Sequence, residues 1–447
     1  MIKRVLIANR GEIALRIIRA CRDLGLQVVC VYSEADRNAP YLKLADEAVC
    51  IGPAPAAKSY LDIPRIISAA EITGADAIHP GYGFLAENAH FASVCRDCKI
   101  EFIGPSPEAM ALLGDKISCK HMARKARVPV FPGSEDAIDD PDEAAKIAKN
   151  TGYPVIVKAA AGGGGRGMRI ARNETELRSA LKAARQEAEA AFGNGSVYIE
   201  KFLEHARHVE VQVIGDKHGA AVHLYERDCS TQRRHQKLIE EAPGPNIDPK
   251  KRDDVCKSAA RLIKNAGYAG AATVEFLMDA KQNFYLLEVN TRVQVEHPVT
   301  EFITGVDIVA TGIRVAAGDE LPFRQRDIKP HGHAIECRIN AEDWRRGFMP
   351  SAGTIERFDV PGGPGVRLDT HAVVGYTVPP NYDSMIAKLI VHGPDRDACI
   401  ERTKRALDEF HIEPLKTTIS LHRELMDNAS FRKGGVDIHF LERLLAG

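Results

Sequence analysis

Apolar and polar residues alternate strictly in one stretch of this 447-residue chain. From Glu288 to Glu296 every second residue is charged or an amide, and the residues between them are valine or threonine. In an extended segment this period of two places all the polar side chains on one face. Two interpretations are open: a solvated face of an antiparallel strand, or a site that holds a cation beside an anion, as phosphoryl transfer requires. The candidate residues are Glu288, Asn290, Arg292, Gln294 and Glu296.

The sequence just before this stretch predicts a β-hairpin. Two apolar runs, 273–277 and 284–288, flank a polar segment, which is typical of paired strands. One unbroken register that pairs Glu275 with Glu288 leaves 280–283 as the loop and brings the two Cβ atoms within ~5 Å. Two opposed carboxylates require a cation between them. Oxygen ligands favour Mg²⁺ or Mn²⁺ bound together with nucleotide phosphates, and the predicted ligands are Glu275, Glu288 and Asn290.

The first hundred residues alternate predicted strands and helices, which indicates a parallel sheet in an open α/β domain. The first turn, at residues 9–12, lacks the three-glycine dinucleotide fingerprint, so we do not predict NAD binding there. The loop at 79–84 follows a strand end, where such sheets place ligands. Tyr82 and Glu87 are therefore candidate site residues, although a glycine-rich turn with packed aromatic residues explains the loop equally well.

A glycine-rich segment, 162–167, connects a predicted strand at 153–158 to a return strand at 168–171, and a helix begins only near Glu174. Because the glycines precede a strand and no Gly-Lys-Ser/Thr follows, both the Rossmann motif and the Walker A loop are excluded. The remaining interpretations are a glycine hairpin that lays backbone N–H groups over phosphates and a plain mobile loop. Lys158, at the entry to the loop, favours the former.

Two further segments complete the pattern. Residues 208–213 alternate as a strand, and the polar run 226–237 is either a solvated face or part of the site, which we favour because it contains Gln232, His235 and Lys237. From about residue 333 a strand, several short strands and two closing helices predict an α+β cap.

The composition of the chain excludes some classes of function. A chain of this length holds two or three domains, and its net charge of -1 with 27% charged residues argues against a nucleic-acid partner. No charged-then-apolar leader and no apolar run of membrane length is visible, so we expect a soluble, cytoplasmic protein without membrane attachment. The ten cysteines are scattered, and the lone pair Cys95 and Cys98 lacks a second pair at zinc spacing, which indicates reduced thiols.

Taken together, these motifs resemble those of biotin carboxylase, a member of the ATP-grasp superfamily, from one end of the chain to the other. The resemblance implies an α/β and α+β protein in three parts: an N-terminal Rossmann-like open sheet (1–114), an ATP-grasp domain with a glycine-loop lid subdomain at about 130–203 (115–330), and a C-terminal α+β domain (331–447). The motifs that carry the resemblance are 9–14, 79–83, the glycine loop, 226–237, 290–298 and 336–343.

In this family ATP and bicarbonate form carboxyphosphate, which yields CO₂ for capture by N1 of biotin. The resemblance implies magnesium or manganese on Glu275, Glu288 and Asn290. It also implies a set of ATP contacts, with Glu200 and Leu203 near adenine at the hinge of the lid: Lys116, Lys158, Gly163, Gly164, Gly165, Gly167, Glu200, Lys201, Leu203, His208, Gln232 and His235.

Bicarbonate and biotin contacts are implied in the same way. Bicarbonate would lie against Lys237, Arg292, Gln294 and the Val295 backbone, with Glu296 as the base. A planar guanidinium and an ammonium suit this anion, and a nearby carboxylate can remove its proton. Biotin would contact Tyr82 and Arg338, with the Arg338 cation stabilising the enolate oxygen formed when N1 loses its proton.

The resemblance also implies partners. The chain has no Met-Lys-Met sequence, so biotin is expected on a separate biotin carboxyl carrier protein, with separate carboxyltransferase subunits and a homodimer formed through the first and last domains. Trp344-Arg345-Arg346 departs from the family pattern, which puts only local surface or partner contacts in doubt. The acceptor stays open: acetyl-CoA, as in fatty acid biosynthesis, or propionyl-CoA, pyruvate or 2-oxoglutarate. A carbamoyl-phosphate-synthetase-like ligase and a non-catalytic nucleotide sensor are the rival interpretations.

Overall fold

The computed structural model describes residues 2–159 and 168–446. The N-terminal part contains five parallel strands in the order β3-β2-β1-β4-β5. Four of them were predicted. The fifth, β3, is a short and largely exposed edge strand, and its sequence lacks the apolar pattern by which a strand can be predicted. The strands are β1 Arg4–Ile7, β2 Gln27–Tyr32, β3 Glu47–Cys50, β4 Ala77–His79 and β5 Glu101–Phe102. The helices are α1 Gly11–Asp23, α2 Ile63–Thr73, α3 Ala89–Asp97 and α4 Pro107–Gly114.

Polar residues fix the starts of many helices by accepting backbone N–H groups. Asp62 begins α2 in this way, Ser106 begins α4, and Asp115 begins the next helix, α5 Lys116–Lys125. The last of these places Lys116 in the first turn of α5.

A small antiparallel sheet in the order β7-β6-β8 forms the centre of the lid subdomain. Its apolar face packs on two helices and contributes a separate core. The predicted strands before and after the glycine loop are both present, whereas the loop itself lies outside the described residues. The elements are α6 Pro141–Thr151, β6 Val155–Ala159, β7 Arg169–Ala171, α7 Glu174–Phe192 and β8 Val197–Lys201.

The central part adds five long strands and three helices. The polar run 226–237 is not a solvated face: it forms the end of one strand, a turn and the start of the next, and most of its side chains up to Gln232 are buried. The elements are β9 Arg207–Gly215, β10 Ala221–Arg233, β11 Gln236–Ala242, α8 Pro249–Asn265, β12 Gly270–Met278, β13 Phe284–Asn290, α9 His297–Thr304 and α10 Ile308–Ala317.

The C-terminal part closes with four helices in the described chain, not the two that we predicted. A short strand at 411–413 separates the first helix from the second, and breaks near Asn428 and at 434–439 separate the others. Its strands are β14 His333–Asn340, β15 Glu342–Asp343, β16 Met349–Pro350, β17 Gly353–Thr354, β18 Arg357–Asp359, β19 Val366–Thr370, β20 Thr377–Val378, β21 Met385–Gly393 and β22 His411–Glu413. Its helices are α11 Arg396–Glu409, α12 Ile419–Asp427, α13 Ala429–Lys433 and α14 Phe440–Ala446.

One eight-stranded antiparallel sheet crosses from the central part into the C-terminal part, in the order β13-β12-β9-β10-β11-β14-β21-β19. The junction is the pairing of β11 with β14, where Glu240 lies opposite Glu336. Because the sheet is continuous, side chains from both parts project from one surface. In the described part of the chain, no helix is long and apolar enough to cross a membrane.

The predicted hairpin is present, with two differences. Glu275 pairs with Glu288 as expected, but a bulge follows and Phe276 then pairs with Leu286, so the loop begins one residue earlier than predicted. The extended geometry that we predicted as far as Glu296 is wrong beyond Asn290, where β13 ends. The chain turns there because α9 must begin at His297.

Candidate active site

A cleft of 970 Å³ lies over one face of the large sheet. It collects residues from all three parts of the chain, which the continuous sheet and the N-terminal loops bring together. The predicted site residues that line it are Tyr82, Lys116, Lys158, Lys201, Leu203, His208, Gln232, His235, Lys237, Glu275, Glu288, Asn290, Arg292, Gln294, Val295, Glu296 and Arg338.

A row of charges crosses four neighbouring strands on the floor of the cleft. Strand pairing places Glu288 opposite Glu275, Glu275 opposite Glu210, and Glu210 opposite Arg227. Opposed carboxylates repel, so the row is stable only if cations lie among them. The Lys237 ammonium contacts Glu210 at 2.6 Å and Glu275 at 3.0 Å.

The same ammonium holds the predicted base. Lys237 Nζ lies 2.6 Å from Glu296 Oε1, and an Arg338 guanidinium nitrogen lies 2.9 Å from Glu296 Oε2. Burial alone would raise the pKa of Glu296, but the charges of Lys237 and Arg338 outweigh it and hold this pKa well below its usual range. Glu296 is therefore ionised at neutral pH, as a base must be.

Arg338 has a second, deeper partner. Its Nε donates to Glu240 Oε1 at 2.6 Å, and Glu240 is completely buried in β11. Burial raises the pKa of Glu240 to about 7, although the Arg338 charge opposes the shift. The guanidinium is thus held between two carboxylates at the edge of the cleft, with part of its surface exposed to a ligand.

The predicted metal ligands lie together on β12 and β13, and carboxylate oxygens are the donors that a hard dication prefers. Glu275 is bound by His208 Nε2 at 2.9 Å and by Asn290 Nδ2 at 2.9 Å. Glu288 has no ion-pair partner within 4.0 Å among the described residues. Desolvation at the cleft floor raises its pKa, and the charge of Glu275 adds to the rise. Glu288 is exposed to solvent in the cleft, and the charges of Lys116 and His208 oppose the rise. A carboxylate that is open on one side and faces a second carboxylate is a donor set that Mg²⁺ would neutralise.

His208 is the imidazole that contacts Glu275 in this group of predicted ligands. Burial lowers its pKa, but the Glu275 carboxylate more than offsets the loss, so the pKa is raised above the usual value. Its other ring nitrogen, Nδ1, lies 3.4 Å from Gln232 Nε2. Both predicted nucleotide contacts therefore lie beside the predicted metal ligands.

Arg292 and Gln294 project into the cleft from a loop instead of a strand. Arg292 donates to Glu87 at 2.9 Å and to Asn290 Oδ1 at 2.9 Å. Glu87 also accepts the backbone N–H of Thr291 at 3.0 Å. Glu87, a candidate from the segment after the 79–84 loop, thus holds the Arg292 loop from the N-terminal part of the chain.

Arg227 binds the loop that carries Arg292 and Gln294 from within the sheet. It was not among the predicted site residues. It is completely buried, and its five N–H groups are all used, one of them on Gln294 Oε1 at 2.9 Å. Its other partners are Glu210, Gln212, Thr273 and Thr300. Gln294 in turn donates to Glu275 at 2.7 Å. Sequence reasoning missed Glu210, Arg227 and Glu240, although the alternation in β9 was a usable signal for Glu210.

The cleft lining also includes lysines of the proposed nucleotide site and a group of apolar side chains. Lys158 contacts Glu200 at 2.6 Å, and Lys120, which we did not predict, contacts the same carboxylate at 2.7 Å. Glu200 therefore lies behind the cleft wall, with its charge already paired. Lys201 donates to two backbone carbonyls, those of Gly152 and Tyr153. The apolar lining comprises Phe131, Ile156, Met168, Leu203, Leu277 and Leu287.

Four predicted phosphate contacts remain untested by geometry. Gly163, Gly164, Gly165 and Gly167 lie outside the described residues. In the N-terminal part of the chain, Tyr82 lines the cleft and donates its hydroxyl to Glu12. Burial and the Glu12 carboxylate raise the pKa of Tyr82 well above its usual value, so the hydroxyl keeps its proton.

Comparisons with known proteins decide between the open interpretations. The family model of the ATP-binding domain of the carbamoyl-phosphate synthase L chain matches residues 115–324. This match alone does not exclude a carbamoyl-phosphate-synthetase-like ligase. The biotin carboxylase N-terminal domain matches 1–110, and the biotin carboxylase C-terminal domain matches 336–443.

The chain belongs to the biotin carboxylase family. A biotin carboxylase from Pseudomonas aeruginosa is 56% identical over 446 residues, which cover 100% of this chain and 99% of the relative. A Campylobacter jejuni structure, described as a biotin carboxylase complex with β,γ-ATP, has 51% identity and a TM-score of 0.95 over 99% of each chain.

A second structure extends the comparison to another carboxylase. The biotin carboxylase domain dimer of the Hydrogenobacter thermophilus 2-oxoglutarate carboxylase, in complex with MgADP, ADP and bicarbonate, has 50% identity and a TM-score of 0.93, over 99% of this chain and 98% of that chain. The predicted family, fold class and enzyme class, an ATP-grasp ligase of the biotin carboxylase family, are confirmed.

Proposed function

We propose that this chain uses ATP and bicarbonate to carboxylate N1 of biotin through carboxyphosphate, with the residue roles predicted from the sequence. The observation that carries the proposal is the contact of Glu296 with both Lys237 and Arg338, at 2.6 and 2.9 Å. One carboxylate thereby faces both the proposed bicarbonate site and the proposed biotin site.

In the first step, Glu296 accepts the proton of bicarbonate while a bicarbonate oxygen attacks the γ-phosphorus of ATP. The bond from the γ-phosphorus to the β,γ-bridging oxygen breaks, and ADP leaves. Lys237 and Arg292 hold the anion, which supports attack because a fixed nucleophile avoids the entropy cost of an encounter. Against the effect of burial, the charges of Lys237 and Arg338 lower the pKa of Glu296 and so keep it deprotonated and able to accept a proton at neutral pH.

Magnesium would be held by Glu275 and Glu288, with Asn290 beside them, and when bound it neutralises the charge of the ATP phosphates. The protein's contribution is to hold the two carboxylates opposite each other on paired strands. Lys116, Lys158, His208, Gln232 and His235 would contact the nucleotide around them.

In the second step carboxyphosphate yields CO₂ and phosphate, and the phosphate takes the N1 proton of biotin. Arg338 would stabilise the resulting enolate oxygen, with Tyr82 as a neighbouring contact. Glu240 fixes the orientation of this guanidinium. Carbon dioxide then forms the new bond to N1, which gives carboxybiotin, ADP and phosphate overall.

An isotope experiment tests this chemistry. Bicarbonate labelled with ¹⁸O is supplied with ATP, Mg²⁺ and free biotin, and the phosphate is collected for mass spectrometry. Attack by bicarbonate transfers one ¹⁸O to each phosphate formed, whereas attack by water leaves the phosphate unlabelled and would contradict the proposal.

We extend the proposal to partners and organisation. The biotin would arrive on a separate carrier protein, and a separate carboxyltransferase would choose the acceptor, either acetyl-CoA or another acyl-CoA or 2-oxo acid. A homodimer, and division of the chain near residues 114 and 330, are part of the same proposal. Copurification of the chain with a biotinylated protein from its own cells, followed by mass spectrometry, identifies the carrier.

A further inference from the structure

A buried lysine joins all three parts of the chain next to the site. Lys388, in the middle of β21, is completely buried. Its Nζ donates to the backbone carbonyl of Val295 at 2.6 Å. The same Nζ lies 3.3 Å from Glu12 Oε1, in the first turn of α1. The first motif of the chain, residues 9–14, is therefore connected through Lys388 to the loop that carries Glu296, although nucleotide chemistry gave it no role.

Glu12 extends this connection to the other end of the cleft. Tyr82, the proposed biotin contact, donates its hydroxyl to the same Oε1 atom of Glu12. The second oxygen, Oε2, is buried and has no hydrogen-bond partner among the described residues. Glu12 is thus held by Lys388 and Tyr82 together.

Charge neutralisation alone does not account for the position of Lys388. A buried ammonium needs carboxylates, and Asp369 lies opposite Lys388 on β19, with Glu336 on the neighbouring strand β14. Nevertheless, the short hydrogen bond of Lys388 goes to a neutral carbonyl in the catalytic loop. Because the peptide unit is planar, fixing the Val295 carbonyl also fixes the backbone from which the Glu296 side chain departs.

We propose that Lys388 is a positioning residue for the reaction and that Glu12 is its counter-ion. Lys388 holds the peptide between Val295 and Glu296, so that the Glu296 carboxylate stays between Lys237 and Arg338. This inference rests on the proposed function, because it assigns Glu296 as the base.

The test is Lys388→Met, assayed by bicarbonate-dependent ATP cleavage. We expect kcat to fall about tenfold to a hundredfold, since small displacements of reacting groups cost this much. We expect the KM for bicarbonate to rise at least fivefold and the KM for ATP to stay within twofold. Lys388→Arg keeps a donor and should restore part of the activity.

A control separates positioning from loss of stability. Leu389→Ala changes the next residue, which points to the opposite, apolar face of β21. It should lower Tm while leaving both KM values unchanged. If Lys388→Met leaves the bicarbonate KM unchanged, as Leu389→Ala does, the inference is overturned.

A second variant tests the inference if Lys388→Met does not fold. Where Lys388→Met alone does not fold, Lys388→Met with Glu12→Gln removes the whole charge pair and still removes the Val295 contact, so the same rise in bicarbonate KM is expected. An unchanged KM in the double variant overturns the inference. A wild-type protein without bicarbonate-dependent ATP cleavage would overturn the proposed function itself, which is a distinguishable result.

Discussion

At the scale of single residues, the site depends on cations that let several carboxylates share a small buried space. Lys237 contacts Glu210, Glu275 and Glu296, and the three negative charges raise its pKa well above the usual value despite burial, which alone would lower it. The exception is Glu288, which is exposed to solvent and has no ion pair within 4.0 Å among the described residues, so that Lys116 and His208 offset its charge only from a greater distance. Glu288 is therefore the carboxylate of the row that is open to a magnesium ion at the proposed position.

Glu288→Lys tests this interpretation. The new ammonium would supply the missing charge itself and leave no room for the metal, so we expect metal-dependent ATP turnover to be abolished. The measurement is ATP cleavage over a magnesium titration, with Glu288→Gln as the milder control. Wild-type turnover in Glu288→Lys would remove this residue from the metal site.

Arg338→Ala tests the proposed biotin end. Removing one fixed cation from an oxyanion typically costs about 10²–10³ in rate, so biotin carboxylation should fall by that factor. Nucleotide affinity, measured by calorimetry, should stay within about twofold, since the side-chain partners of Arg338 are Glu240 and Glu296 and not the proposed nucleotide contacts. Unchanged carboxylation would contradict the assignment.

At the scale of elements, the sequence predicted the strands that carry the site but not how they are arranged around it. The pairing of Glu275 with Glu288 followed from two apolar runs and a polar turn. The bulge after Glu275 did not, because Leu286 and Leu287 are both apolar, so no break in the alternation shows that one of them is an extra residue. The polar run 226–237 was favoured as part of the site, but Arg227 was not singled out in it, since nothing local shows that both faces of β10 are covered by distant elements.

Arg227→Met is the matching prediction at this scale. Removing one partner of a buried ion pair costs about 3–5 kcal/mol, and here Glu210, Gln212 and Gln294 would all lose a donor. We expect a loss of this size in the free energy of unfolding, measured by urea titration. Arg227→Lys, which keeps the charge but not the five donors, should lose less. A change below about 1 kcal/mol in the methionine variant would show that the network is not stabilising.

At the scale of the whole molecule, a buried histidine marks the junction of the first and last parts of the chain. His371 packs edge-on against Tyr41, and its Nε2 lies 3.1 Å from the Tyr376 hydroxyl. Burial, with help from the Arg10 charge, lowers the pKa of His371 to about 3.

A depressed histidine pKa contributes stability above the unfolded value of about 6.5, and this stability is lost as the pH falls. Between pH 8 and pH 5 the wild-type protein should lose about 2 kcal/mol through His371. His371→Gln has no group that titrates here. The free energy of unfolding of the wild type, minus that of the variant, should therefore be about 2 kcal/mol smaller at pH 5 than at pH 8. Urea titrations at the two pH values measure it, and a gap independent of pH would contradict the prediction.

The central claim is that a nucleotide triphosphate meets bicarbonate on the floor of the cleft. A crystal structure with a non-hydrolysable ATP analogue, Mg²⁺ and bicarbonate tests it most directly. We expect the metal on Glu275 and Glu288, and the anion between Lys237 and Arg292 beside Glu296. A triphosphate bound elsewhere, with these carboxylates still facing one another without a metal, would contradict the account.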